Sequence, residues 1–239
     1  MATTTKRVNV IGVGMVKFAK PGASEEYNVM AAKAIRAALE DSKVPYDAIQ
    51  QAYCGYVYGD STCGQRCVYE VGLTGIPVFN VNNNCSTGSS ALMLGKQGID
   101  GGLDCVLVVG FEKMEKGALG SKFDDRTNPL DKHAGVMNDV QGFTSAPPAA
   151  QMFGGAGREY RWKYGTKRET FAKISEKARK HAANNPYALF NTLLSVEEIL
   201  ASEEVYKQLP QWPAIAQEPL QLKGFDAPVI AYELGRAEA

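Results

Sequence analysis

One stretch of the chain limits its possible folds more than any other. Val78–Val81 predicts a short strand, and the three asparagines at 82–84 predict a turn. From Cys85 onward the residues are small, which predicts a helix up to about residue 100. Val106–Gly110 is apolar throughout, as is typical of a strand covered on both faces of its sheet. A strand, a helix and a second buried strand in this order predict an α/β fold.

The residues before this stretch repeat the same alternation. Residues 8–13 predict a strand, and residues 25–41 predict a helix with an apolar stripe that Ser24 can cap. A second strand is predicted at 53–58 and a short helix at 62–72. We therefore predict that the first part of the chain is one α/β domain with helices on both faces of its sheet.

The character of the sequence changes after residue 118. Residues 118–148 are rich in loop-forming residues, whereas 149–209 predict helices. Two capping boxes, Thr166-x-x-Glu169 and Ser195-x-x-Glu198, mark helix starts. We predict three regions, which are an α/β domain at 1–118, a mostly helical domain at 119–209 and an atypical tail at 210–239.

The tail differs in composition from the rest of the chain. Four prolines lie between residues 210 and 228, and short apolar segments at 220–222 and 229–232 predict edge strands.

Composition excludes several classes of function. The 26 basic and 26 acidic residues balance, so the overall charge does not indicate a nucleic-acid partner. No apolar run approaches the roughly 20 residues of a membrane span. The first residues lack the apolar core of a signal peptide, and the last three are not a Ser-Lys-Leu type address, so we expect a protein of the cell interior.

The five cysteines are expected to be free thiols. Their number is odd, and an intracellular context disfavours disulfides. Cys54, Cys63 and Cys67 have a spacing that matches no usual zinc site, so no metal is predicted.

Cys85 is the candidate nucleophile. It follows a strand and a turn and begins a helix, where unpaired N–H groups and the helix dipole stabilise a thiolate. Its own N–H could bind an oxyanion. A structural cysteine at the start of a helix is the alternative, and the residues alone leave both interpretations open.

Three further features could contribute to a site. Residues 158–180 hold nine basic and three acidic residues, which could receive a phosphate-bearing ligand or simply form a solvated face. His133, in a predicted loop, could act as a base for Cys85, but no pattern brings the two together. Glu112 and Glu115 follow the apolar strand and are interpreted as structural.

Several segments resemble the thiolase superfamily, and in particular its sterol-carrier-protein type of 3-ketoacyl-CoA thiolase. The resemblance covers about residues 6–209. Its motifs are Asn82-Asn83-Asn84-Cys85-Ser86-Thr87-Gly88, Gly110-Phe111-Glu112-Lys113-Met114, Gln151-Met152-Phe153-Gly154 and the segments at 164–169, 184–187 and 194–200.

The resemblance implies a fold and a site. It implies the N-terminal half of a thiolase, a mixed sheet with helices on both faces, and an inserted, mostly helical loop domain. It implies that Cys85 accepts the acyl group, and that Met152, Arg158, Lys167 and Arg168 help hold coenzyme A as a substrate, with no bound cofactor. It also implies a peroxisomal location, whereas the missing terminal address favours the cytoplasm.

The resemblance also implies functional groups that lie beyond this region. The family's second half supplies a Gly-His-Pro motif and a Cys-x-Gly motif, and neither follows residue 209 here. We therefore expect thiolysis by this chain alone to be very slow. The alternatives are a non-catalytic module that binds acyl-CoA or pairs with a full-length thiolase or a second copy of itself, and an inactive remnant.

Overall fold

A computed structural model describes residues 7–115, 123–144 and 146–201, together with the backbone of two short strands in the tail. The chain divides into two compact units, Met1–Ala118 and Leu119–Ala239. The first unit contains α1 (Tyr27–Ser42), β1 (Gln51–Gly55), α2 (Cys63–Tyr69), β2 (Val78–Val81), α3 (Thr87–Asp100) and β3 (Val106–Gly110). The second contains α4 (Asp131–Gln141), α5 (Pro148–Tyr164), α6 (Arg168–Ala182), α7 (Val196–Ala201), β4 (Ala214–Ala216) and β5 (Tyr232–Leu234).

The first unit is built on a three-stranded parallel sheet. β1 lies in the centre, with β2 on one side and β3 on the other. Ala52 is paired with Val78 and Leu107 on its two neighbours. Parallel neighbours require crossover connections, and α2 and α3 supply them. The predicted α/β class is confirmed.

Helices cover the two faces of this sheet, because successive side chains of a strand point to opposite sides. Cys54 belongs to the core that α1 and α2 complete, and a Cβ added at Gly64 of α2 would lie 2.6 Å from its Cβ. Tyr53 points the other way, where its ring stacks on Phe79 at 5.3 Å and lies against Gly98 of α3. The central strand β1 is therefore buried, and in β3 the alternate residues Leu107 and Val109 are buried, whereas Phe79 of β2 is exposed.

The strand predicted at residues 8–13 is wrong. Residues 7–20 contain no strand, and Val10 is 73% exposed. This segment lies against α1 instead, where a Cβ added at Gly14 would lie only 2.3 Å from the Ala34 carbonyl oxygen. The Val13 N–H donates to the Asp41 carboxylate at 2.9 Å, so that amide binds a helix side chain rather than a neighbouring strand.

Two predicted helix caps are also wrong. α1 begins after Glu26 and has no side-chain cap, so Ser24 does not cap it. α6 begins after Lys167, again without a side-chain cap, so the box at Thr166 is not formed. The loop-rich region predicted at 118–148 is also wrong in part, because the helix α4 occupies Asp131–Gln141.

The second capping box is confirmed. The Ser195 N–H donates to the Glu198 carboxylate at 2.7 Å, and the Glu198 N–H donates to Ser195 Oγ at 3.2 Å. This reciprocal pair satisfies two amides at the start of α7.

Two short strands are described in the tail. β4 and β5 pair antiparallel, with Ile215 opposite Glu233. The strand predicted at 220–222 lies outside the described residues, as does most of the one predicted at 229–232. The division of the second unit into a domain ending at 209 and a separate tail stays a prediction.

Candidate active site

Cys85 lies on a tight turn between β2 and α3. Asn84–Ser86 form a single 3-10 turn, and α3 begins directly afterwards at Thr87. Cys85 is exposed. Because it follows the carboxyl end of a strand in a parallel sheet, it lies at the edge where ligands of α/β proteins bind.

Local hydrogen bonds hold this turn. Thr87 Oγ1 accepts the Asn83 N–H at 2.9 Å and donates to the Asn84 carbonyl at 2.6 Å. The Asn83 side-chain amide donates to Ser90 Oγ at 2.9 Å. Asn84 has a φ of 45°, in the left-handed region that asparagine tolerates better than most residues. The three asparagines thus supply a turn with bonds of its own ahead of the cysteine.

The position of Cys85 suits nucleophilic attack. Its thiol is open to solvent beside the first turn of a 14-residue helix. The N–H groups and dipole at a helix start can stabilise an oxyanion that forms on an attacked carbonyl. The arrangement is able to form an acyl-cysteine.

The other thiols of this unit lie in different surroundings. Cys54 and Cys67 are fully buried, and Cys63 is 6% exposed. Burial raises the pKa of Cys54 to about 12 and is the largest cause of the same rise at Cys67. Burial also raises the pKa of Cys105, which is half-buried. Cys54 and Cys67 therefore remain thiols at neutral pH and are poor nucleophiles.

A cavity opens between the start of α1, the loop after β1 and the end of β3. Its volume is about 470 Å³, and Cys85 is not among the residues that line it. A hydrogen bond with Cys63 raises the pKa of Tyr27 to about 12, and burial adds to the rise. The two cations that line the cavity are in ion pairs, Lys113 with Glu26 and Arg66 with Glu70. The lining residues are Tyr27, Tyr58, Gly59, Asp60, Ser61, Thr62, Cys63, Arg66 and Lys113.

Glu112 has a structural role at this edge of the sheet. Its carboxylate accepts the Val57 N–H at 2.8 Å and the Tyr58 N–H at 3.2 Å. It thereby ties the loop after β1 to the end of β3. Glu115 lies 3.9 Å from Lys113 as an ion pair.

The four residues proposed for coenzyme A lie in the second unit. Met152 and Arg158 are on α5, and Arg158 donates to the Gln141 side chain. Lys167 and Arg168 are consecutive at the start of α6. Cys85 belongs to the other unit, so the role of these four residues in holding a ligand of Cys85 stays a prediction. His133 is on α4, not in a loop, and it too belongs to the second unit.

Two general findings concern the described residues. Among them, no three His, Cys, Asp or Glu side chains come together in a group that could hold a metal ion. None of the helices described is both long and apolar enough to cross a membrane.

Thr87 is the site residue that sequence reasoning missed. It is a buried polar residue, at 6% exposure, and it lies two positions after Cys85. The Asn-rich turn was visible in the sequence, but no pattern indicated which hydroxyl binds it. The sequence signal for this role is a threonine at the first position of a helix, directly after a turn.

Comparison with known proteins assigns the chain to a family. Residues 8–200 match the family model described as "Thiolase, N-terminal domain". The chain therefore belongs to the thiolase family, as its motifs predicted.

The chain's curated relatives include a sterol carrier protein and a thiolase subunit. The chain is 55% identical over 207 residues to Sterol carrier protein 2 of Homo sapiens, which covers 85% of this chain and 38% of the relative. It is 30% identical over 208 residues to the Benzoylsuccinyl-CoA thiolase subunit BbsB of Thauera aromatica, which covers 85% of this chain and 51% of that subunit. The matched part of the chain thus spans 38% of the first relative and about half of the second.

A solved structure supports the fold alone. The Ltp2-ChsH2(DUF35) aldolase superposes with a TM-score of 0.58 at 19% sequence identity. The match covers 78% of this chain and 46% of the aldolase chain.

Proposed function

We propose that this chain carries the acyl-accepting half of a thiolase-type acyltransferase, with Cys85 as its nucleophile. The observation that supports the proposal is the exposed Cys85 on a strand–turn–helix at the carboxyl edge of a parallel sheet, in a chain of the thiolase family. The substrate is a 3-ketoacyl-CoA, and coenzyme A is the second substrate.

Atoms and protons balance between Cys85 and the two substrates. Cys85 Sγ forms a bond to the C3 carbonyl carbon, and the C2–C3 bond breaks. The electron pair passes to C2 of the departing acetyl-CoA, which takes the proton that Cys85 gives up. The thiol of a second coenzyme A then attacks the acyl-cysteine, and its proton returns to Cys85 as the new acyl-CoA leaves.

Coenzyme A binding is assigned to the second unit. The proposal takes Met152, Arg158, Lys167 and Arg168 as residues that help hold coenzyme A, the three basic ones through its phosphates. Guanidinium and ammonium groups bind phosphate oxygens by charge-assisted hydrogen bonds. The excess of basic residues from 158 to 180 supports this assignment.

The test is coenzyme A-dependent consumption of acetoacetyl-CoA. Cys85→Ser should reduce the rate to that of buffer, because serine at this position is a far weaker nucleophile. Cys105→Ser is the matched control and should keep the wild-type rate. Equal rates for Cys85→Ser and wild type would contradict the proposal.

A second candidate function is a module that binds acyl-CoA or pairs with another thiolase chain, including a second copy. Exposed apolar residues on α3, namely Leu92 at 55% and Met93 at 62%, favour it, since a partner chain could bury them. It predicts coenzyme A binding without turnover, and that binding should survive Cys85→Ser. Sedimentation at several concentrations tests the pairing.

A further inference from the structure

Thr87, the first residue of α3, is buried and bonds to the turn that precedes Cys85. It is 6% exposed, whereas Ser86 before it and Gly88 after it are exposed. Its hydroxyl donates to the Asn84 carbonyl at 2.6 Å and accepts the Asn83 N–H at 2.9 Å. The Thr87 N–H also donates to the Asn84 carbonyl. One side chain therefore fixes both residues that precede Cys85.

The methyl group of Thr87 joins this turn to the sheet. A Cβ added at Gly55, the last residue of the central strand, would lie 2.8 Å from Thr87 Cγ2. Glycine at the end of β1 thus leaves the space that this methyl group occupies. The turn is held by the hydroxyl on one side of the threonine and by packing against β1 on the other.

The backbone of the turn needs such support. Asn84 is left-handed at a φ of 45°, a conformation that persists in non-glycine residues when the surroundings determine it. Without the hydroxyl, the Asn83 N–H loses its acceptor and the Asn84 carbonyl loses one of its two donors. The backbone on which Cys85 sits would then sample other conformations.

We propose that Thr87 is a positioning residue, which holds the Asn83–Asn84 backbone so that the Cys85 thiol meets the carbonyl of an acyl thioester in one orientation. This rests on the proposed function only in taking Cys85 as the nucleophile. Thr87 itself does not touch the reacting atoms in the proposal.

The experiment compares Thr87→Val, which replaces the hydroxyl by a methyl group of similar size, with Thr87→Ser, which keeps the hydroxyl. Amide hydrogen exchange at Asn83 reports the bond directly. Mass spectrometry reports the rate of Cys85 acylation by acetoacetyl-CoA and the rate of its alkylation by iodoacetamide. The buried Cys54 and Cys67 report unfolding, because they alkylate only when the core opens.

Thr87→Val should speed Asn83 exchange and slow Cys85 acylation by at least about tenfold each, the scale of one buried hydrogen bond. Alkylation of Cys85 should change little, because a small reagent approaches an exposed thiol from many directions. Thr87→Ser keeps the hydroxyl and loses only the methyl contact beside Gly55, so both properties should change less than in Thr87→Val. General loosening of the fold would instead raise alkylation at Cys54 and Cys67.

The outcomes separate this proposal from the proposed function. Unchanged Asn83 exchange in Thr87→Val, or an unprotected Asn83 amide in the wild type, overturns the positioning role even if Cys85 acylates normally. A wild type that never acylates overturns the proposed function, and Asn83 exchange still decides the role of Thr87. If Thr87→Val unfolds, slow exchange in Thr87→Ser with fast exchange in Thr87→Ala supports the proposal, and equal exchange in those two variants overturns it.

Discussion

Cys85 and the pair Cys54 and Cys67 share the first unit and differ in exposure and in surroundings. Cys85 lies on an exposed turn at the start of a 14-residue helix, held by bonds from Thr87. Cys54 and Cys67 lie fully buried where α2 packs on the sheet, and burial raises the pKa of Cys54 to about 12. The comparison teaches that the fold, rather than the number of thiols, determines which cysteine can react.

The largest expected effect is in native-state alkylation. At pH 8, iodoacetamide should modify Cys85 at least about a hundredfold faster than Cys54 or Cys67, because burial removes both access and thiolate. In guanidinium chloride the rates should converge to within a few fold. Peptide mapping over time measures all the sites together, and comparable native rates would remove the distinction on which the account depends.

A smaller effect is expected in stability at alkaline pH. The pKa of Cys54 and of Cys67 is raised in the fold from 9.0 to about 12, so the unfolded chain loses these protons first. Stability from this source is complete below about pH 9 and falls as the pH rises toward 12. Tyr27, with its pKa raised from 10.0 to about 12, acts in the same direction.

Urea unfolding at pH 7, 8.5 and 10 measures this loss, with Cys54→Ala as the comparison variant. The variant should lose less stability than wild type between pH 8.5 and pH 10, since one titrating group is gone. An identical pH dependence of the free energy of unfolding in both would show that folding does not raise the pKa of Cys54.

The sequence predicted the elements that strong local patterns determine. The apolar run at Val106–Gly110 and the small-residue segment after Cys85 correspond to β3 and α3. The prediction of a strand at 8–13 was wrong because apolar composition does not determine whether a segment pairs with a neighbouring strand. This segment lies against α1 instead.

The site shows the same division between local and tertiary signals. The position of Cys85 was predictable, because its turn and helix are encoded in adjacent residues. The role of Thr87 was not, since it depends on the space that Gly55 leaves on another strand. Likewise, Ser195 and Thr166 each begin a capping-box pattern. Of these two patterns, the one at Ser195 forms a capping box and the one at Thr166 does not.

The most direct test of the account is the mass of the intact chain after mixing with acetoacetyl-CoA, followed by peptide mapping. If Cys85 is the nucleophile, one acetyl adduct should form, confined to Cys85, with none in Cys85→Ser and an unchanged adduct in Cys105→Ser. An adduct on any other cysteine, or an equal adduct in Cys85→Ser, would contradict it.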